Sequence, residues 1–181
     1  MDGFAGAMAV IGFAALAILG FIQGNIPFVF LTGLLVVSSA GFLCFNFPPA
    51  RIFMGDSGST VMGFAMVAVS IMGWKEGLYP FWTPLVIFSP FWVDATITLL
   101  KRLYRREKIW LPHRQHFYQR WVLAGYSHYR VTMCYGFVMI LCAASTIAWQ
   151  GYGAEHNAQI VPVFWILFYS VVLVCGNHLI R

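Results

Sequence analysis

Apolar residues run along this chain in six blocks, each long enough to cross a hydrocarbon layer of about 30 Å. The blocks cover residues 4–22, 27–45, 59–74, 81–100, 129–149 and 161–179. Short breaks rich in glycine, proline and polar residues separate them. The pattern predicts an all-α, polytopic membrane helix bundle of about six transmembrane helices, in a single integral membrane domain over residues 1–181. The third block is the shortest and begins near the surface at Gly58, and Pro84 and Pro90 predict a kink in the fourth.

Connections between blocks are short except for residues 101–128. That segment and its flank hold Lys101, Arg102, Arg105, Arg106, Lys108, Arg114, Arg120 and Arg130, opposed only by Glu107. Basic residues of this kind collect on the cytoplasmic side of a membrane protein. Counting helices outward from this loop puts Asp2, the Arg51–Asp56 loop and Arg181 on the same side, with Lys75, Glu76 and residues 150–159 opposite. Ten of the eleven basic residues then lie inside. Asp2, Asp56, His113 and His116 share that face, and Asp94 lies within two helical turns of it.

Composition agrees. The chain has 181 residues, 60% hydrophobic and 9% charged, and a mean hydropathy of +0.76. A water-soluble domain carries about 25% charged residues, so a soluble protein is excluded. The net charge of +5 follows from topology and does not point to nucleic acid. Cys44, Cys134, Cys142 and Cys175 lie in or beside apolar runs without CxxC spacing, which argues against a disulfide frame or a zinc site. Met1-Asp2-Gly3 lacks the basic start of a signal peptide.

The break over residues 45–63, FNFPPARIFMGDSGSTVMG, carries the most chemistry. Pro48 and Pro49 end the preceding helix, since neither donates an amide hydrogen. Gly55 and Gly58 let the backbone come close to a ligand. Ser57 and Ser59 are suited to capping the next helix, whose N-terminal amides favour anions. A capped membrane turn would explain the prolines and serines. It does not explain Asp56 at a membrane boundary, and an acid there is a functional candidate by default.

His113 and His116 stand three residues apart in Leu111-Pro112-His113-Arg114-Gln115-His116-Phe117-Tyr118-Gln119-Arg120. No thiolate or third histidine accompanies them, so a transition-metal site is poorly supported. With arginines between and beyond them they suit a pyrophosphate: donors for its oxygens and groups that change protonation near neutral pH. A surface loop with no ligand remains the competing reading. Residues 101–108 alone read equally as a belt attracted to anionic lipid. Asp94, about 10 Å of helix before Lys101, reads as a supporting residue that pairs with a cation or caps a local polar network. His128, His156 and His178 stand alone near helix ends.

Three stretches together resemble the polyprenyl-phosphate N-acetylhexosamine-1-phosphate transferases, glycosyltransferase family 4. Met1-Asp2-Gly3-Phe4-Ala5-Gly6 is similar to the end of the family's NFMDGxDGxAG element. Residues 46–59, NFPPARIFMGDSGS, resemble its NxxPAxxFMGDxGS element, which is long and specific. His113-Arg114-Gln115-His116-Phe117-Tyr118-Gln119 resembles its histidine motif, in the form of the O-antigen and lipid-sugar initiating members. The consecutive histidines of the peptidoglycan branch are missing, which argues against a muramoyl-pentapeptide substrate. The resemblance runs through the chain, but family members are nearly twice as long and carry an aspartate pair on an earlier loop. The expectation is therefore a C-terminal portion of such an enzyme, inactive when alone.

The resemblance implies transfer of sugar-1-phosphate from a UDP-N-acetylhexosamine to polyprenyl (undecaprenyl) phosphate, with release of UMP. It implies Asp56, Asp2, His113 and His116 as catalytic residues, with Asp56 as ligand to Mg2+. Asn46, Ser57 and Arg114 would bind substrate, and Arg102 and Arg105 the lipid phosphate. The expected location is a bacterial inner membrane with the site facing the cytoplasm. A homodimer, or a partner supplying the N-terminal half, is the expected assembly. The alternative function is a catalytically dead or split subunit that binds lipid phosphate or assists assembly; a transporter has only Asp94 to support it.

Overall fold

A computed structural model describes residues 3–108, 116–151 and 159–179, with side chains described as far as residue 172. The described elements are all helical. They are α1 (Phe4–Ile22), α2 (Ile26–Asn46), α3 (Gly55–Lys75), α4 (Trp82–Ile87), α5 (Ser89–Tyr104), α6 (Phe117–Leu123), α7 (His128–Gly151) and α8 (Ile160–Leu179). Helices α1, α2, α3 and α7 are long and apolar enough to cross a membrane, and α8 contributes a shorter apolar stretch over Ile160–Val172.

The fourth apolar block is divided, and the prolines explain how. Pro90 sits at the start of α5 and has no amide for the carbonyl of Val86. The Ser89 hydroxyl donates to that carbonyl instead, at 2.6 Å, and the Trp92 indole donates to the carbonyl of Leu85 at 2.8 Å. Backbone polar groups inside a bilayer must be satisfied by the protein itself. The expected kink is thus a full break at Phe88, between α4 and α5.

Helix α3 also differs from expectation. It starts at Gly55, four residues before the apolar block, because the GDSGS sequence joins the helix as its first turn. Ser59 therefore lies inside the helix and caps nothing. Its hydroxyl and that of Thr60 donate back to the carbonyl of Asp56 at 3.0 and 2.8 Å. By contrast Asn25 is a true cap of α2: its side chain accepts the Phe28 amide at 3.0 Å, with Pro27 at the helix start.

Helix α1 is central and packs on α2, α3, α4 and α7. Met8, Phe13, Leu16 and Leu19 are fully buried along it. Gly12 leaves room for the Phe88 ring, and Gly20 for Phe28, so any larger residue at these points would collide. Large apolar side chains remain exposed on the outer helices, among them Phe30, Leu34 and Val37 of α2 and Val61, Phe64 and Ile71 of α3. Water would not tolerate such a surface, but lipid does.

The alternating helices define two ends. Gly3, Asn46, Asp56, Arg102 and His116 belong to one. At the other, Asn25 donates to Glu76 at 2.6 Å and Gln150 donates to the carbonyl of Leu78. These bonds tie the turns of the far end together, and candidate chemistry gathers at the first.

Candidate functional site

The α2–α3 connection folds back on the helix it leaves. The amides of Arg51 and Ile52 both donate to the carbonyl of Phe45, at 2.8 and 3.4 Å. Asn46, only 5% exposed, holds this loop from within. Its Nδ2 donates to the carbonyl of Ile52 at 2.7 Å, and its Oδ1 accepts the amide of Gly3 at 2.9 Å. The Phe47 ring meets Tyr129 of α7 edge-on at 5.8 Å. Asn46, expected at a substrate, thus has its amide engaged by backbone on both sides, and Asp56 and Ser57 are exposed in the first turn of α3. An acid in that turn is favoured by the helix dipole.

The start of α1 reaches the second half of the site. Gly3 is held by Asn46, and the next residue, Phe4, stacks on Tyr118 of α6 with ring centroids 4.7 Å apart. Tyr118 in turn stacks on His116 at 5.3 Å and only 8° from parallel. A continuous path therefore runs from Asn46 through Gly3, Phe4 and Tyr118 to His116. Burial, reinforced by Asp94, pushes the Tyr118 phenol above its ordinary pKa, so this ring is a neutral platform.

Asp94 anchors the other edge of His116. It is 5% exposed, and its Oδ1 accepts the Phe117 amide at 2.8 Å, fixing the first residue of α6. Its Oδ2 lies 3.9 Å from His116 Nδ1, and Thr98 donates to Oδ1 at 3.5 Å. Asp94 thus belongs to a local polar network with the Phe117 amide and the Thr98 hydroxyl, as expected of a supporting residue. Close by, Lys101 lies over the Phe117 ring at 4.6 Å. Burial, with Arg120 and Arg105 nearby, holds the Lys101 pKa below its ordinary value. The end of α5 and α6 therefore carry a basic cluster suited to an anion.

The two arginines expected at a lipid phosphate differ in their surroundings. Arg102 is 4% exposed; its Nε donates to Glu107 at 3.2 Å and its guanidinium also donates to the carbonyl of Lys108 at 2.6 Å. It closes the end of α5. Arg105 is exposed. Asp2, His113 and Arg114 lie outside the described residues. Sequence reading missed the aromatic path: Phe4 and Tyr118 looked like ordinary apolar positions, and only their places within two of the motif stretches hinted otherwise.

Among the described residues no group of three or more His, Cys, Asp or Glu side chains gathers as a metal cage. The donor set at Asp56, one exposed carboxylate, fits a hard cation that keeps waters and shares substrate phosphates.

Residues 1–74 match the family described as glycosyl transferase family 4. The chain is 31% identical over 130 residues to a probable undecaprenyl-phosphate N-acetylglucosaminyl 1-phosphate transferase of Bacillus subtilis, covering 71% of this chain and 36% of that protein. It is 33% identical over 142 residues to a phospho-N-acetylmuramoyl-pentapeptide-transferase of Listeria welshimeri, covering 75% and 41%. A transferase of the same name from Latilactobacillus sakei is 30% identical over 145 residues, covering 80% and 44%. The chain spans about two fifths of the length of these relatives.

Proposed function

Through residues 1–74 the chain belongs to glycosyl transferase family 4, and from that premise we propose that it serves the transfer of sugar-1-phosphate from a UDP-N-acetylhexosamine to polyprenyl phosphate. An oxygen of the lipid phosphate ends bonded to the phosphorus that carries the sugar. The bond from that phosphorus to the bridging oxygen breaks, and UMP leaves. Such transfer needs charge neutralisation and in-line placement more than covalent chemistry from the protein.

In this reading Asp56 would hold Mg2+ together with substrate phosphates; the ion, when bound, neutralises charge developing on phosphate oxygens. His116, with His113 and Arg114 from the same motif, would hold the pyrophosphate beside the basic cluster of Lys101, Arg105 and Arg120. Arg105 is the better candidate for the lipid phosphate, since Arg102 is engaged at the end of α5. Asn46 acts by holding the loop and Gly3 in place. Asp2 and Ser57 complete the set. The observation that carries the reading is the meeting of the three motif stretches at one end, through Gly3 with Asn46 and Phe4 with Tyr118 and His116.

The chain is a multi-pass membrane protein. We place it in a bacterial inner membrane with this end in the cytoplasm, on the charge bias alone. Its relatives are nearly twice its length, and the carboxylate of Asp56 is by itself a sparse metal site. On those two grounds the 181-residue chain is expected to need a complementing segment, from a partner chain or a second copy, before it turns over. The test is co-expression with the N-terminal half of a relative in a host lacking such activity, following labelled sugar phosphate into lipid. UMP released in equal amount supports the reading; no transfer in any combination rejects it.

A further inference from the structure

We infer that α6 and the turn into α7 form a lipid-anchoring edge: Trp121, Leu123 and Tyr126 enter the leaflet at this end of the bundle, and Arg130 takes the phosphate of an anionic phospholipid. The partner is bulk membrane lipid, distinct from the two substrates of the proposed reaction. Helix α6 has 7 residues, too few to cross a bilayer. Its first turn is packed, with Tyr118 stacked on His116 and Phe4 and with Lys101 over the Phe117 ring. Its other end is bare. Trp121 is 41% exposed, Leu123 67% and Tyr126, just past the helix, 48%. These residues form one unit, because the Tyr126 amide donates to the Trp121 carbonyl at 3.2 Å and the two rings lie 5.4 Å apart. Water disfavours clustered apolar surface, whereas Trp and Tyr settle at a membrane–water boundary.

Helix α7 gives the depth of this edge. The Ser127 hydroxyl caps it by accepting the Arg130 amide at 3.3 Å. Arg130 is thereby fixed in the first turn of a helix long and apolar enough to span. Met133, Phe137 and Ile140 follow it at helical spacing and stay about half exposed or more, so they share one outward face. Arg130, itself exposed, ends that lipid-facing stripe where headgroups begin. No acid answers it locally. Residues 108–154 contain no Asp or Glu, while Asp94 and Glu107 are engaged by the Phe117 amide and by Arg102. Among the described residues Arg130 makes no ion pair. Lys101, Arg105 and Arg120 keep the end of α5 and α6 positive as well. Apolar rings at the acyl boundary beside a guanidinium at phosphate depth match an anionic lipid surface.

The test uses the 181-residue chain in lipid nanodiscs, cysteine-free apart from an environment-sensitive dye on Leu123→Cys. The same dye on Phe137→Cys gives the lipid-exposed reference. Phosphatidylcholine with spin-labelled chains should quench the Leu123→Cys dye, and aqueous iodide should not. Spin-labelled phosphatidylglycerol should quench it more than spin-labelled phosphatidylcholine, with an enrichment of about fivefold for one basic residue. Arg130→Gln should abolish that preference, Arg130→Lys should keep most of it, and high salt should weaken it. Quenching by iodide puts the edge in water and overturns the inference. Quenching by neither agent means that protein covers the edge, which overturns it too. A phosphatidylglycerol preference that survives Arg130→Gln takes the arginine out of its role. Displacement of phosphatidylglycerol by trace undecaprenyl phosphate would make the edge an acceptor-lipid site and likewise overturn the proposal. None of these readings needs turnover, so a failure of sugar-phosphate transfer leaves them intact.

Discussion

The backbone amide of Gly3 is held by the side chain of Asn46 at 2.9 Å, across 43 residues of sequence and inside the protein. One bond joins the start of the central helix to the connection that leads into α3 and Asp56. The same side chain also takes the carbonyl of Ile52, so a single buried amide fixes both the loop and the first motif stretch.

Asn46→Ala leaves the Gly3 amide buried without its acceptor, which costs about 1–3 kcal/mol. Thermal unfolding in detergent should show the loss. Asn46→Asp, which keeps the acceptor for Gly3 but loses the donor to Ile52, should unfold between the two. Equal melting of Asn46→Ala and wild type would mean the bond does not bear on stability.

Gly12 faces the Phe88 ring with no space for a side chain. Gly12→Val should destabilise the bundle by about 1–3 kcal/mol, as overpacking does. Phe88→Ala removes the obstructing ring, so the double variant should cost less than the sum of the two single changes. Strict additivity would show that the two do not press on each other.

Arg102 and Arg105 are three residues apart and should respond differently. Glu107→Gln weakens the charge partner of buried Arg102 and should lower stability by about 1–3 kcal/mol. Arg105→Ala should leave melting within about 0.5 kcal/mol, as exposed changes usually do, yet raise KM for the lipid phosphate. A stability loss at Arg105 with unchanged KM would reverse the assignment.

Orientation is checked in a cysteine-free background. A probe at Lys75→Cys should react with a membrane-impermeant reagent in intact cells, and one at Lys108→Cys only after permeabilisation. The opposite pattern would turn the protein over and remove the site from the cytoplasm.

The apolar blocks made the helices legible in the sequence, because lipid asks only for length and hydropathy. Pro90 announced the break at Phe88, though not that Ser89 and Trp92 would satisfy the carbonyls it frees. The first turn of α3 was hidden because GDSGS is polar and rich in glycine, and sequence pattern places such a stretch outside a helix. Asp56 stood out as an acid at a membrane boundary, and His116 by its spacing from His113 among arginines. Asn46 looked like a ligand contact, since nothing in the sequence shows that a backbone amide 43 residues away is its partner. Phe4 and Tyr118 were silent for the opposite reason: aromatic residues at a membrane surface are ordinary, and only packing gives them a role.

The most direct test of the account is Asp56→Asn in the complemented transfer assay, with magnesium varied. Asp56 is exposed in the first turn of α3, so the change keeps size and fold but removes the charge proposed to hold the ion. Membrane insertion and melting should match wild type, while transfer of labelled sugar phosphate to polyprenyl phosphate falls to background at every magnesium concentration. Near-wild-type turnover by Asp56→Asn at any magnesium concentration would contradict the central claim that this end of the bundle is the phosphoryl-transfer site.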